Sequence, residues 1–274
     1  MVNVRDLAAN LEQDHRGLWV SKIRSGVSYP SSDNERCYQI EDTSFWFQHR
    51  NRCIANCVRA YPPSGVVFDV GGGNGFVSLG LQRAGWDTVV VEPGVTGACN
   101  AQRRGLLHVI CSTFEDAGFR QHALPSVGMF DVLEHVEDDA EFLRALHEAM
   151  VPGGRLYLTV PAYQWLWSAE DTYAGHFRRY TLPSLTSTLD RAGFDVEFRS
   201  YIFSILPLPI FLRRSIPYLL GLKEATTSES AAKDHAIRPL NRLFDRVFAW
   251  EQNALDRSRA IPWGSSCLVV AKSR

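Results

Sequence analysis

The stretch from Val66 to Pro93 constrains this chain more than any other. It holds an apolar run, four glycines within five residues, a helix-spaced segment, and a second apolar run closing on an acid. Val66, Val67, Phe68 and Val70 do not alternate with polar residues, the pattern of a strand buried on both faces. Gly71, Gly72, Gly73 and Gly75 follow, and Phe76 to Ala84 then has helical spacing that Gly85 stops. Thr88 to Val91 reads as a second buried strand with Glu92 at its tip. Strand, bare turn, helix, strand and acid form the first half of a doubly wound nucleotide-binding sheet. The glycines let the turn fold tightly and let a ligand approach main-chain N–H groups at the helix N-terminus.

The two acids narrow the ligand. Glu92 is placed to accept hydrogen bonds from both ribose hydroxyls of an adenosine. Asp69, two residues ahead of Gly71, puts a carboxylate beside a turn that would otherwise hold a pyrophosphate. A carboxylate there suits positive charge, such as an α-amino group. Adenosine joined to an amino acid, without phosphate, is S-adenosylmethionine. A nucleotide-binding oxidoreductase shares the outline and stands as the alternative from another class, with a non-catalytic binding module as a third.

Past the turn, the chain resembles the class I S-adenosylmethionine-dependent methyltransferases. The stretch VGMFDVLEHVEDDAEFLRALHEAMVPGGRLYLTVPA (127–162) is similar to that family's fourth strand, the helix after it and the turn into the fifth strand. FWFQHRNRC (45–53) and AGHFRRYT (174–181) resemble a bacterial subgroup of the family. The resemblance covers most of 41–202 and the terminal strand Ser266–Ala271. It implies an α/β fold: a Rossmann-like, seven-stranded, mostly parallel sheet whose last strand is antiparallel, with helices on both faces and a helical cap. The expected organisation is an N-terminal helical cap over 1–63, a core over 64–202 and 266–274, and a lid insertion over 203–265 between the last two strands.

The same resemblance implies a cofactor site. Asp69 with the backbone of Gly71, Gly72, Gly73 and Gly75 would hold the methionine part, Glu92 the ribose, and Pro93 the adenine. Phe130 would offer its carbonyl to the methionine amine, and Arg50 would pair with the methionine carboxylate if its helix closes over the site. Where the family carries a Gly-Asp pair after the third strand, this chain has Ser112-Thr113 before Phe114. Thr113 takes the adenine contact without charge, and Glu115 or Asp116 is near enough to substitute.

Chemistry is expected at the carboxyl ends of the strands. A sulfonium methyl is already electrophilic, so the protein mainly aligns a nucleophile, with a base only where a proton must leave. Three titratable groups compete for that role: His135 after the fourth strand, His176 in the subgroup motif, and Glu170, where similar chains more often have histidine. The run PAYQWLWSAEDTYAGHFRRY (161–180) is unusually aromatic. With Trp46 and Phe47, its Tyr163, Trp167 and Tyr180 would wall a flat or greasy acceptor, or simply pack the lid. Arg178 would bind an acidic group on the acceptor or pin the loop.

Composition bounds the rest. With 29 basic and 30 acidic residues the overall field does not suit nucleic acid. Six scattered cysteines have neither zinc spacing nor disulfide density, and no metal site is expected from them. Acids interrupt the N-terminal stretch, so export is not expected and the cytoplasm is the default. FSILPLPIFLRRSIPYLLGL (203–222) is broken by three prolines and two arginines, so it reads as a lid or packing segment, with peripheral membrane contact as the minor alternative. The segment 223–235 reads as a polar loop, and 238–258 as an amphipathic helix whose stripe packs on the domain or forms a dimer seam. The expected activity is methylation of a small aromatic or hydrophobic acceptor by a monomer or homodimer; an envelope lipid or glycan precursor comes second.

Overall fold

The computed structural model describes residues 4–23, 25, 31–222 and 242–274. Its strands grow from the apolar runs: β1 Leu11–Gln13, β2 Trp19–Ser21, β3 Val67–Val70, β4 Thr88–Val91, β5 Val109–Cys111, β6 Leu124–Phe130, β7 Met150–Pro161, β8 Phe194–Ile202 and β9 Ser266–Ser273. They make one sheet in the order β1-β2-β5-β4-β3-β6-β7-β9-β8. From β5 through β7 neighbours run parallel, while β9 is antiparallel to both β7 and β8. The mostly parallel doubly wound sheet is therefore present, with two strands more than the seven expected.

Those two strands correct the reading of the N-terminal segment as helix and loop alone. Asp14 accepts hydrogen bonds from the N–H groups of Arg16 (2.8 Å) and Leu18 (3.0 Å), and Gly17 takes φ +81°, closing a short hairpin. Trp19 and Val20 then pair in parallel with Ile110 and Cys111, covering an edge of the sheet. Strands of three residues are too short to show any periodicity in sequence.

Alternation along each strand divides the core. Phe68 and Val70 of β3 and Cys267, Val269 and Ala271 of β9 face one helical layer, which includes α7 (Asp139–Ala149) and α9 (Leu182–Arg191). Val67, Leu268 and Val270 face the other, built from α3 (Phe45–Ala60), α4 (Phe76–Arg83) and α12 (Arg242–Asp256). Each layer buries the apolar stripe of its helices against one side of the sheet. Phe194, Leu185 and Leu189 anchor α9, whose start is fixed by reciprocal Thr181–Ser184 hydrogen bonds and whose end is followed by Gly193 at φ +100°.

The segment after β8 begins as three end-to-end helical turns, Pro207–Ile210, Phe211–Ser215 and Ile216–Leu219. The polar stretch 223–235, and Leu240 of the amphipathic stripe, lie outside the described residues. The described part of α12 packs on α3: His49 stacks on Phe248 at 4.0 Å between ring centroids. Glu251 is buried there, accepting from Phe203 N (2.9 Å) and Ser204 N (2.6 Å) while lying 2.8 Å from His49 Nε2. Ile202 and Ser266 face each other across β8 and β9, so the intervening segment leaves and rejoins the sheet at one point. No helix among the described residues is long and apolar enough to cross a membrane.

Candidate active site

A cavity of about 640 Å³ opens at the carboxyl ends of the parallel strands. At one end stands the glycine turn. β3 and β4 pair with Val70 opposite Val91, which places Glu92 one residue past the paired strands. Its Oε2 accepts from Gly73 N and its Oε1 from Gly94 N, both at 2.8 Å. Each oxygen keeps a further lone pair. Burial pushes the Glu92 carboxyl up to about 7, against the pull of those two N–H groups. Asp69 accepts from the Ser78 hydroxyl at 2.7 Å, and burial raises it to about 6.

The glycines serve different ends. Gly73 has φ +53°, and a Cβ there would meet nothing nearer than Asn34 at 4.0 Å, so the bare backbone leaves open space beside Glu92. At Gly71 (φ +70°) a Cβ would lie 2.5 Å from Val132. Gly75 is outside the cavity lining; it packs on Leu106 and Ala101 and begins α4 in the left-handed region. Pro93, Thr113 and Phe114 line the adjoining wall. The Thr113 hydroxyl accepts from Asp116 N at 3.0 Å, capping a short helix, while Asp116 itself accepts from Ser25 N and its hydroxyl. Of the two substitute acids, Glu115 is the one that lines the cavity.

Arg50 reaches across from α3, as the sequence suggested, but its partner is Asp131, to which it is hydrogen-bonded and ion-paired. Its guanidinium lies over the Trp46 ring at 4.6 Å. Asp131 follows Phe130 at φ +60° and also takes a hydrogen bond from Thr159 at 3.2 Å. Neither Asp131 nor Asn34 was singled out by sequence. The position of Asp131 directly after a buried strand was the available signal; for Asn34 there was none.

The other end of the cavity is made where two loops meet. Phe177 N donates to Glu134 O at 2.8 Å, which sets the His135 and His176 rings 4.7 Å apart, edge to face. Burial, and next the neighbouring His176, push His135 down to about 4, so its ring is neutral. His176 Nδ1 lies 2.9 Å from Asp171 Oδ1, and Arg179 donates to the same carboxylate at 2.7 and 2.9 Å. Glu134 is completely buried, and neither carboxyl oxygen has a hydrogen-bond partner. Burial, with the Asp131 charge second, holds its carboxyl well above the usual range. Glu170 stands on the wall 3.9 Å from Arg214, which the segment after β8 brings in together with Ile210.

Trp46 and Phe47 line the cavity; Tyr163, Trp167, Arg178 and Tyr180 do not. Tyr163 takes φ +58°, stacks on Tyr201 and Trp165, and meets Trp263 at a tilt. Tyr180 and Arg178 both bond Asp139 at the start of α7, at 2.8 and 3.0 Å, pinning the loop that carries His176. Trp167 donates to Thr172 at 3.2 Å.

A family model described as a methyltransferase domain matches residues 39–197. Among curated proteins, the chain is 30% identical over 100 residues to a ubiquinone biosynthesis O-methyltransferase of Pseudomonas paraeruginosa. That match covers 34% of this chain and spans only 43% of the relative's length. Among solved structures, a SAM-dependent methyltransferase of Thermotoga maritima superposes with a TM-score of 0.56 at 15% identity, covering 89% of this chain and 95% of that one. A Haemonchus contortus phosphoethanolamine N-methyltransferase bound to S-adenosyl-L-methionine gives 0.55 at 14% identity, over 89% of this chain and 57% of that one. At such identities the structural likeness speaks for the fold.

Proposed function

This chain belongs to the class I S-adenosylmethionine-dependent methyltransferases, and from that premise we propose that it methylates a hydroxyl of a small aromatic or hydrophobic acceptor. The observation that carries the reading is a single cavity joining Glu92 and the glycine turn to the Glu134, His135 and His176 end. The cofactor is S-adenosylmethionine, and the residues present fit it. Glu92 keeps lone pairs for the ribose hydroxyls, Gly73 leaves room beside them, and Phe114 with Pro93 offers an apolar wall for adenine. Asp69 and the Phe130 carbonyl suit the amino group, and Arg50 the carboxylate.

When bound, the cofactor supplies a methyl group on a sulfonium, already electrophilic. The protein's own task is then to exclude water, align the acceptor and take up its proton. Three groups at the far end can hold that proton or direct it: Glu134, His135 and His176. Asp171 orients His176, and Arg179 fixes Asp171. The name of the curated relative supports oxygen as the methylated atom.

A second reading, an acceptor carrying a lipid tail, is favoured by one feature. The segment after β8 turns Ile210 and Arg214 to the cavity while Leu208, Leu212 and Leu219 are 63%, 53% and 70% exposed. Calorimetry with S-adenosylhomocysteine and NADH, followed by labelled methyl transfer to a panel of phenols and catechols, tests the proposal. Tight homocysteine-adduct binding, no NADH response and transfer to a hydroxyl are expected. NADH binding, or transfer confined to amines, would overturn it.

A further inference from the structure

We propose that Glu134, His135 and His176 form a binding site for a first-row divalent cation at the acceptor end of the cavity, an inference that rests on the methyl-transfer reading of that cavity. One donor atom from each residue lies within 4.8 Å of the others. Three atoms so spaced lie within about 2.8 Å of a common centre, against metal–nitrogen bonds of about 2.1 Å. The set therefore closes on one centre with side-chain shifts under about 1 Å.

The second observation is independent of spacing. Glu134 is fully buried on the cavity wall with both oxygens lacking a hydrogen-bond partner. Burying a carboxyl without a partner is costly, and buried charges in proteins are paired or coordinate metals. The two neighbouring carboxylates each have an arginine: Asp131 has Arg50 and Asp171 has Arg179. Glu134 has no such partner among the described residues, and a cation displacing its proton would supply one.

His176 is also arranged as a ligand. Its Nδ1 is engaged by Asp171, leaving Nε2 for a metal, and a carboxylate on the far nitrogen is the usual support of a ligating imidazole. The other candidate cluster, His49, Cys53 and Glu251, lacks this openness. There Glu251 already serves His49, two main-chain N–H groups and the Ser204 hydroxyl, and both His49 nitrogens are occupied. That cluster pins helices together.

Two imidazoles and a carboxylate favour manganese, iron, cobalt, nickel or zinc over magnesium and calcium. Three protein ligands leave coordination positions free towards the cavity. An oxygen donor of the acceptor fits such a position and becomes more acidic on binding. The substrate class narrows accordingly to hydroxyl compounds, best those with two adjacent oxygens that can chelate.

The test uses the full chain stripped with a chelator and titrated with Co²⁺ and, separately, Mg²⁺, followed by calorimetry and visible absorption. One Co²⁺ per chain with ligand-field bands is expected, and Mg²⁺ binding at least tenfold weaker. Glu134→Gln and His176→Ala should each lose at least tenfold in Co²⁺ affinity, and Asp171→Asn roughly 10–100-fold. S-adenosylhomocysteine affinity, read on the same samples, certifies that each variant is folded. No stoichiometric Co²⁺ in the wild type, or equal affinity in folded Glu134→Gln, would overturn the site and leave Glu134 as a hydrogen-bond partner of the acceptor. None of these readouts requires turnover. A chain that binds cobalt but methylates no hydroxyl would sink the functional reading alone.

Discussion

Asp171 holds His176 by a 2.9 Å contact between Oδ1 and Nδ1 while accepting two donors from Arg179. Burial would raise the Asp171 carboxyl, but the hydrogen bonds from His176 and Arg179 and the arginine's charge outweigh it and bring it down to about 2. An ionised carboxylate can only accept, so Nδ1 carries a proton, and in the neutral ring Nε2 is then the lone-pair nitrogen. Asp171→Asn removes that constraint on the tautomer. Turnover is expected to fall about 10–100-fold with S-adenosylhomocysteine affinity nearly unchanged. Equal turnover in the folded variant would separate His176 from the chemistry.

Glu92→Ala removes the acceptor assigned to the ribose. Calorimetry should show S-adenosylhomocysteine binding weakened by about 2–4 kcal/mol, the loss of two charge-assisted hydrogen bonds. Retained affinity would mean that the adenosine lies elsewhere in the cavity.

The same residue predicts a pH dependence. Free Glu92 is raised to about 7 by burial, and the ionised form is the better acceptor. Ligand affinity should therefore be flat above about 7 and fall as pH drops, roughly tenfold per unit. Asp69, raised to about 6, steepens the loss at lower pH. Glu92→Gln should remove the upper part of the profile. An affinity constant between pH 5.5 and 8 (on the order of the range these two groups span) would contradict the assignment.

Gly71→Ala meets two obstacles, a φ of +70° and a Cβ position 2.5 Å from Val132. Gly85→Ala meets only the first, with φ +97° and nothing within 4 Å. Left-handed strain alone costs about 1–2 kcal/mol. Denaturant unfolding should show the larger loss at Gly71, and only that variant should also weaken cofactor binding. Equal losses would show that Val132 yields.

Glu251→Ala strands His49 and the N–H groups of Phe203 and Ser204 in the interior. Breaking a buried pair by removing one partner typically costs about 3–5 kcal/mol. Thermal or denaturant unfolding is the measurement, and a change below about 1 kcal/mol would mean that α12 does not depend on this junction.

The parts of the molecule that sequence disclosed are those whose signal is local. Val67–Val70, the glycine turn and Glu92 lie within one short stretch, and apolar runs without polar alternation mark strands buried on both faces. The meeting of His135 with His176 depends on a main-chain hydrogen bond between Glu134 and Phe177, which no spacing encodes. Nor does residue type reveal which way a loop ring points. Tyr163 was a plausible wall residue, yet its left-handed backbone turns it onto Tyr201 and Trp263. The hairpin at Leu11–Ser21 escaped because three residues carry no period.

The pairing of Ile202 with Ser266 closes the long segment between β8 and β9 as though it were a hairpin turn. The cost of closing a loop grows only slowly with its length, so the sheet tolerates a long connection here, while α12 fastens its later part to α3. The segment also delivers Ile210 and Arg214 to the cavity wall. One connection between neighbouring strands thereby supplies both a helix of the core and part of the cavity wall, so a change within it is felt in stability and in the pocket alike.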